Sequence, residues 1–241
     1  EAALTGMTEQ LAELEAIATN PEPPTVENVL HAWERSGATL ERTSAAFWVA
    51  RSADSTPERD ALMAELSPQL AAHQDTILLH RGLYDRLRAL ATRADAGEVE
   101  LDEQDAYSLL RRLRDYERGG IRLAEDDQQR LRALNTELAT LSVEFERLLS
   151  AGRNAAAVHV TDESELAGLS PEEVATLRSA AQAQGLEGWL VPIVNTSGQP
   201  LLDVLEDRGL RERIHRASVG RGLGGDHDTR DLLVRLARLR S

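Results

Sequence analysis

The chain has 241 residues with 27 basic and 41 acidic side chains, a net charge of −14, and neither Lys nor Cys. The length fits one large domain or two small ones and allows a substantial buried core. The composition excludes a disulfide scaffold and thiolate metal ligation, and the acidic balance argues against duplex nucleic acid or an anionic membrane as main partner.

No apolar run approaches the ~18–20 residues needed to span a bilayer. Glu1-Ala2-Ala3-Leu4 lacks the basic start of a signal peptide. The expectation is a soluble, acidic protein of a reducing cytosol. The missing Lys reads as codon bias rather than as function.

Only 3% of residues are aromatic, and Ala, Leu, Arg and Glu dominate, which is a helix-forming composition. Leu4, Met7, Leu11, Leu14 and Ile17 recur at steps of three and four, predicting a first helix that Asn20-Pro21-Glu22-Pro23-Pro24 ends. Thr25 is placed to cap a second helix with a stripe through Leu30, Trp33, Leu40 and Phe47. Arg51 to Thr56 reads as a loop, with Thr56 as cap and Pro57 in the first helical position. The helix that follows carries Leu62, Leu66 and Leu70, and Pro68 is expected to kink or interrupt it.

Leu83, Leu87 and Leu90 continue a helical pattern to the break at Asp95-Ala96-Gly97. Asp102 opens another helix, expected to turn Tyr107, Leu110, Leu113 and Tyr116 inward before Gly119-Gly120 stops it. Leu131, Leu134, Leu138, Leu141, Phe145 and Leu148 then form a seam that predicts one helix of about 28 residues.

The period changes after that seam. Val158 and Val160 flank His159, and Trp189-Leu190-Val191-Pro192-Ile193-Val194 runs into Asn195-Thr196-Ser197-Gly198. These predict two short strands or one hairpin arm, with Pro192 confining its strand to an edge or a bulge. Ser170-Pro171-Glu172-Glu173 between them is a strong helix start. The remainder is helical, interrupted at Gly220 to Gly225. Leu232, Leu233, Leu236 and Leu239 give the last helix, from about Thr229, an apolar face that wants a partner. The pattern stops at Ser241 without a terminator, which reads as a truncation or as a C-terminal helix needing no stop signal.

A zinc-peptidase helix needs His-Glu-x-x-His, because residues four apart place both imidazoles on one face beside the Glu. The string is absent, and His31-Ala32-Trp33-Glu34-Arg35 fails the inverted form at its last position. Glu212-Arg213-Ile214-His215 is one Glu-x-x-His pair where a di-iron site needs two, so it reads as surface or packing. His73 and His80 are seven apart, so they could share a helical face, yet no carboxylate lies at ligand spacing between them, and they read as partly buried.

Gly220-Arg221-Gly222-Leu223-Gly224-Gly225 contains Gly-x-Gly-x-x-Gly, yet a helix precedes it and no acidic partner follows at the required distance. It reads as an interhelical loop. Asp226, His227 and Asp228 could in principle ligate a metal, although Asp228 or Thr229 serves more simply as a cap. Arg208, Arg211, Arg213 and Arg216 are expected to pair with Glu206, Asp207 and Glu212, in preference to binding an anion or a peptide carboxylate. The residues by themselves therefore assign no catalytic, cofactor-binding or metal-ligating position.

Several stretches go beyond composition. Pro24-Thr25-Val26-Glu27-Asn28-Val29-Leu30, with Glu34-Arg35-Ser36-Gly37 and Leu40, resembles the N-terminal helix signature of the thimet oligopeptidase family of zinc peptidases, and within it the bacterial peptidyl-dipeptidase and oligopeptidase A branch. Leu66 to His73, Leu83 to Leu87 and the seam from Leu123 to Phe145 are similar too. The most specific stretch is Gly185-Leu186-Glu187-Gly188-Trp189 through Asn195-Thr196-Ser197-Gly198-Gln199-Pro200. It continues with Arg208-Gly209-Leu210-Arg211-Glu212-Arg213, Ala217 to Gly222, and Asp228-Thr229-Arg230.

The resemblance covers essentially the whole chain. It implies that the family's zinc ligands and catalytic Glu lie downstream of these residues, so none is carried onto any position here. It also implies a helical region forming one wall of a channel that admits short peptides.

The expectation is a mainly α protein, an antiparallel helical bundle with one short hairpin-like insertion near residues 156–205. Residues 1–152 would form the bundle, and 153–241 a mixed segment leading toward an absent catalytic domain. The functional expectation is the N-terminal region of a cytoplasmic zinc oligopeptidase, inactive alone, with zinc held only by the full-length parent. Its partners would be short peptides rather than nucleic acid or membrane, with self-association of the isolated chain through the last helix. The alternative is a stand-alone helical interaction module.

Overall fold

A computed structural model describes residues 1–194 and 198–240; the expected turn residues Asn195, Thr196 and Ser197, and the terminal Ser241, lie outside the described residues. The protein is mainly α with one two-stranded antiparallel sheet. It divides into two compact units, Glu1–Thr140 and Leu141–Ser241.

In the first unit, α1 (Ala2–Ala18) buries Met7, Leu14 and Ile17 and ends ahead of the proline cluster. Thr25 caps the next segment as its sequence predicts. Its hydroxyl accepts the Asn28 N–H at 3.1 Å, and the Asn28 side chain accepts the Thr25 N–H at 2.8 Å.

The single helix expected through Leu30, Trp33, Leu40 and Phe47 is instead broken. It comprises a π-helical turn (Val26–His31), α2 (Ala32–Arg35) and α3 (Ala38–Ala53). Gly37 makes the break at φ 77°, a left-handed conformation that cannot continue a right-handed helix. Its N–H donates to Glu13 Oε2 at 2.7 Å, which ties the break to α1.

Thr56 and Pro57 open α4 (Pro57–Leu78) as expected, but Pro68 lies inside an unbroken helix. One missing backbone bond is tolerated because several helical turns flank it on each side. α5 (Arg81–Asp95) buries Leu83, Tyr84, Leu87 and Leu90. Asp102 caps α6 (Glu103–Arg118) by accepting the Asp105 N–H at 2.7 Å.

α6 is rotated from its expected orientation. Leu109 and Tyr116 are buried, whereas Tyr107 and Leu110 are each 60% exposed. Tyr116 stacks on Tyr84 of α5 with ring centroids 6.1 Å apart, and Leu109 lies on the same face two turns earlier. That contact sets the inward face. The core joins these residues to Leu14, Ile17, Val29, Leu30 and Ile77.

α7 (Glu125–Ala155) has 31 residues, running from the first unit into the second. Its seam is only half-covered: Leu131, Leu138, Leu141, Phe145 and Leu148 are partly buried, and Leu134 is exposed.

In the second unit, β1 (Val158–Val160) pairs antiparallel with β2 (Trp189–Val191), Val158 opposite Val191 and Val160 opposite Trp189. α8 (Pro171–Ala183) connects them behind the expected capping box, the Ser170 N–H donating to Glu173 at 2.7 Å. β2 ends at Val191, directly before Pro192, and in this two-stranded sheet it is an edge strand, as expected from the proline. α9 (Arg208–Gly220) places Leu210 and Ile214 against Val160, Leu166, Leu177, Trp189 and Val191.

α10 (Arg230–Arg240) buries Leu236 and half-buries Leu232 and Leu239. Leu233, expected on that face, is 53% exposed. Among the described residues no helix is long and apolar enough to cross a membrane.

Candidate functional site

The histidines singled out by the sequence occupy separate structural positions. His31, at the end of the π-helical turn, bonds Glu27 through Nδ1 at 2.9 Å and Asp105 of α6 through Nε2 at 3.2 Å. The Glu27 hydrogen bond, with Asp105 assisting, holds its pKa above the ordinary value of 6.5. A histidine shifted upward contributes stability in full below its unfolded pKa and loses it as pH rises through the folded value. The wild-type chain is therefore expected to lose stability to urea as pH rises above the ordinary histidine value of 6.5. Glu27→Gln should flatten that slope; an unchanged slope would remove His31 as its source.

His73 is buried on α4, and its Nε2–H donates to Gln10 Oε1 at 2.7 Å. Burial lowers its pKa and favours the neutral ring. His80 shares no helical face with His73, because α4 ends at Leu78 and His80 caps α5. Its Nδ1 accepts the Leu83 N–H at 3.2 Å, and its Nε2 bonds Glu15 at 2.9 Å.

The most elaborate side-chain assembly was not marked by sequence spacing. Arg112 of α6 lies over the Trp33 ring, 3.7 Å from its centroid, and reaches Glu34 at 3.3 Å. The Trp33 indole N–H donates to the Tyr116 hydroxyl at 3.4 Å. Burial pushes the Tyr116 pKa up to about 12, so the phenol stays protonated. Trp33, Leu78, Arg112 and Tyr116 line a cavity of about 360 Å³. Trp33 and Arg112 lie in different helices, far apart in sequence, so no linear motif joins them.

In the second unit, Glu212 pairs with Arg216 at 2.7 Å while Ile214 is fully buried and His215 exposed. The expected arginine pairing is only partly realised. Arg211 instead donates to the Leu205 and Glu206 carbonyls, at 2.6 and 2.8 Å, and Arg213 pairs with Glu165. Asp207 caps α9 by accepting the Leu210 N–H at 2.6 Å.

The glycine-rich segment is an interhelical loop with Gly222, Gly224 and Gly225 at positive φ. The Thr229 hydroxyl donates to the Gly222 carbonyl at 3.2 Å, leaving Asp228 to accept the Arg230 N–H at 3.0 Å. The Arg230 side chain holds the Asp228 carboxylate well below its usual range.

Among the described residues no group of three or more His, Asp and Glu is arranged to hold a metal ion. Both His31 ring nitrogens already face carboxylates, and that triad is a hydrogen-bonded brace.

Dipeptidyl carboxypeptidase of Salmonella typhimurium is 37% identical over 237 residues, covering 98% of this chain and 35% of that protein. Dipeptidyl carboxypeptidase of Escherichia coli is 34% identical over 238 residues, again 98% of this chain and 35% of the relative. The homologues of this chain are peptidases of the thimet oligopeptidase family. Oligopeptidase A of Escherichia coli is 26% identical over 204 residues, covering 85% of this chain and 30% of that protein. No family model matches the chain. The chain spans about a third of the length of these dipeptidyl carboxypeptidases, an extent that fits an N-terminal portion. The family resemblance expected at the π-helical turn, α7 and the β2–α9 region is thus supported by similarity along nearly the whole sequence.

Proposed function

We propose that this chain is the N-terminal helical region of a cytosolic, zinc-dependent oligopeptidase or peptidyl-dipeptidase acting on short peptides. The observation carrying this reading is the match of 98% of the chain to 35% of a dipeptidyl carboxypeptidase. Residues 1–152 supply a helical wall that limits admission to a channel, and residues 153–241 lead toward the catalytic domain. The zinc, its ligands and the general base belong to polypeptide outside these residues, where zinc lowers the pKa of a bound water for hydrolysis. The wall residues select and orient peptides rather than move protons. Nucleic acid and membranes are not partners, and the isolated chain self-associates through the exposed side of α10.

The test is an assay of the isolated chain on short quenched peptides with added zinc. No hydrolysis is expected, whereas joining the chain to the polypeptide following it in its gene should yield chelator-sensitive cleavage. Chelator-sensitive hydrolysis by the isolated chain would overturn the reading, because it requires a metal site within these residues.

A further inference from the structure

α6 has a side that its neighbours leave open. Tyr107, Leu110, Arg111, Arg114 and Arg118 recur at steps of three and four, which aligns them along the helix. All five are exposed, including the tyrosine and leucine that the sequence pattern assigns to the core. Arg111 reaches the Tyr107 hydroxyl at 3.5 Å and is attracted by Asp115.

Arg114 and Arg118 form no ion pair among the described residues. Glu117, one turn from Arg114, is committed to Arg122 and to the Tyr84 hydroxyl. Three guanidiniums against the single carboxylate of Asp115 leave this face positive, although the chain carries a net charge of −14. Like charges four apart on a helix repel by roughly 0.2–0.5 kcal/mol, so this spacing gains nothing within the isolated chain. The cavity bounded by Trp33 and Tyr116 includes Arg118 in its lining, adding a recess of mixed polarity at the end of the stripe.

We propose that this face of α6 docks an acidic helical segment of a partner protein. The partner's carboxylates engage Arg111, Arg114 and Arg118, and its apolar side chains cover Tyr107 and Leu110. Carboxylates one turn apart match the arginine spacing, while apolar residues between them match the exposed tyrosine and leucine. Charge complementarity is local here, because the rest of this acidic chain repels an acidic ligand at long range. A duplex nucleic acid fits less well, because its phosphate backbone leaves Tyr107 and Leu110 uncovered.

The test is fluorescence anisotropy of the whole chain with a labelled four-turn helical peptide of Glu, Ala and Leu at low salt. Saturable binding is expected, with a Kd on the order of 10 μM. Arg114→Glu with Arg118→Glu should weaken it at least about tenfold, and Tyr107→Ala with Leu110→Ala comparably. Both double variants should keep the wild-type circular dichroism, since every altered side chain is exposed. Absence of saturable binding, or binding that neither double variant weakens, would overturn the proposal. So would tighter binding to a short DNA duplex than to the peptide.

Discussion

Alanine at position 168 is expected to destabilise the second unit by more than about 4 kcal/mol, an effect large enough to unfold a marginal domain. Gly168 sits at φ 98° in the turn before α8, and a Cβ at that position would lie 2.0 Å from the Val204 carbonyl oxygen. The obstacle is backbone, so no rotamer change relieves it. Moving that carbonyl disturbs the neighbouring bond from the Glu206 N–H to the Ala167 carbonyl, 2.9 Å in the native chain. Leu166 and Leu205, which flank this contact, both belong to the second unit's core.

Gly185 provides the control, with φ 70° and no atom within 4 Å of the place a Cβ would take. Gly185→Ala should cost only the roughly 1–2 kcal/mol of a left-handed L residue. Hydrogen exchange read on peptides from residues 158–166 and 200–214 would distinguish the two. Loss of protection is expected for Gly168→Ala alone. Equal stability of the two variants would refute the close approach.

Adjacent leucines on α6 provide the second large contrast. Leu109→Ala is expected to cost about 2–5 kcal/mol, because Leu109 is 4% exposed and its truncation leaves a cavity in the first unit. Leu110→Ala should stay within about 0.5 kcal/mol of wild type, because that side chain is 60% exposed. Urea unfolding of both variants measures the difference. Reversed magnitudes would restore the inward face expected from Tyr107, Leu110, Leu113 and Tyr116, and would also remove the proposed docking face.

The failure of that stripe has a simple cause. α6 offers apolar residues on more than one side, so its periodicity leaves the rotation undetermined. The stacking of Tyr116 on Tyr84 and the burial of Leu109 select the inward side. The break at Gly37 was hidden for a related reason. Leu30, Trp33, Leu40 and Phe47 maintain a helical period across it, although a single left-handed residue ends one helix and starts another. Conversely, the capped starts at Thr25, Thr56, Asp102 and Ser170 were legible, because each cap is an interaction between residues only three apart.

The polar assemblies divide in the same way. The Ser170–Glu173 capping box can be read directly from neighbouring letters. The His31 brace to Asp105 and the Arg112 stack on Trp33 cannot, because each joins helices distant in sequence.

The sequence by itself determined the helix-rich class, most helix starts and the family resemblance, since composition, caps and motifs are local or additive properties. Only the tertiary structure decided which side of α6 is buried, which glycines touch backbone, and which of the described arginines remain exposed without an ion pair. Those outcomes depend on the neighbouring elements that each side chain meets, and one strand of letters does not encode that pairing locally.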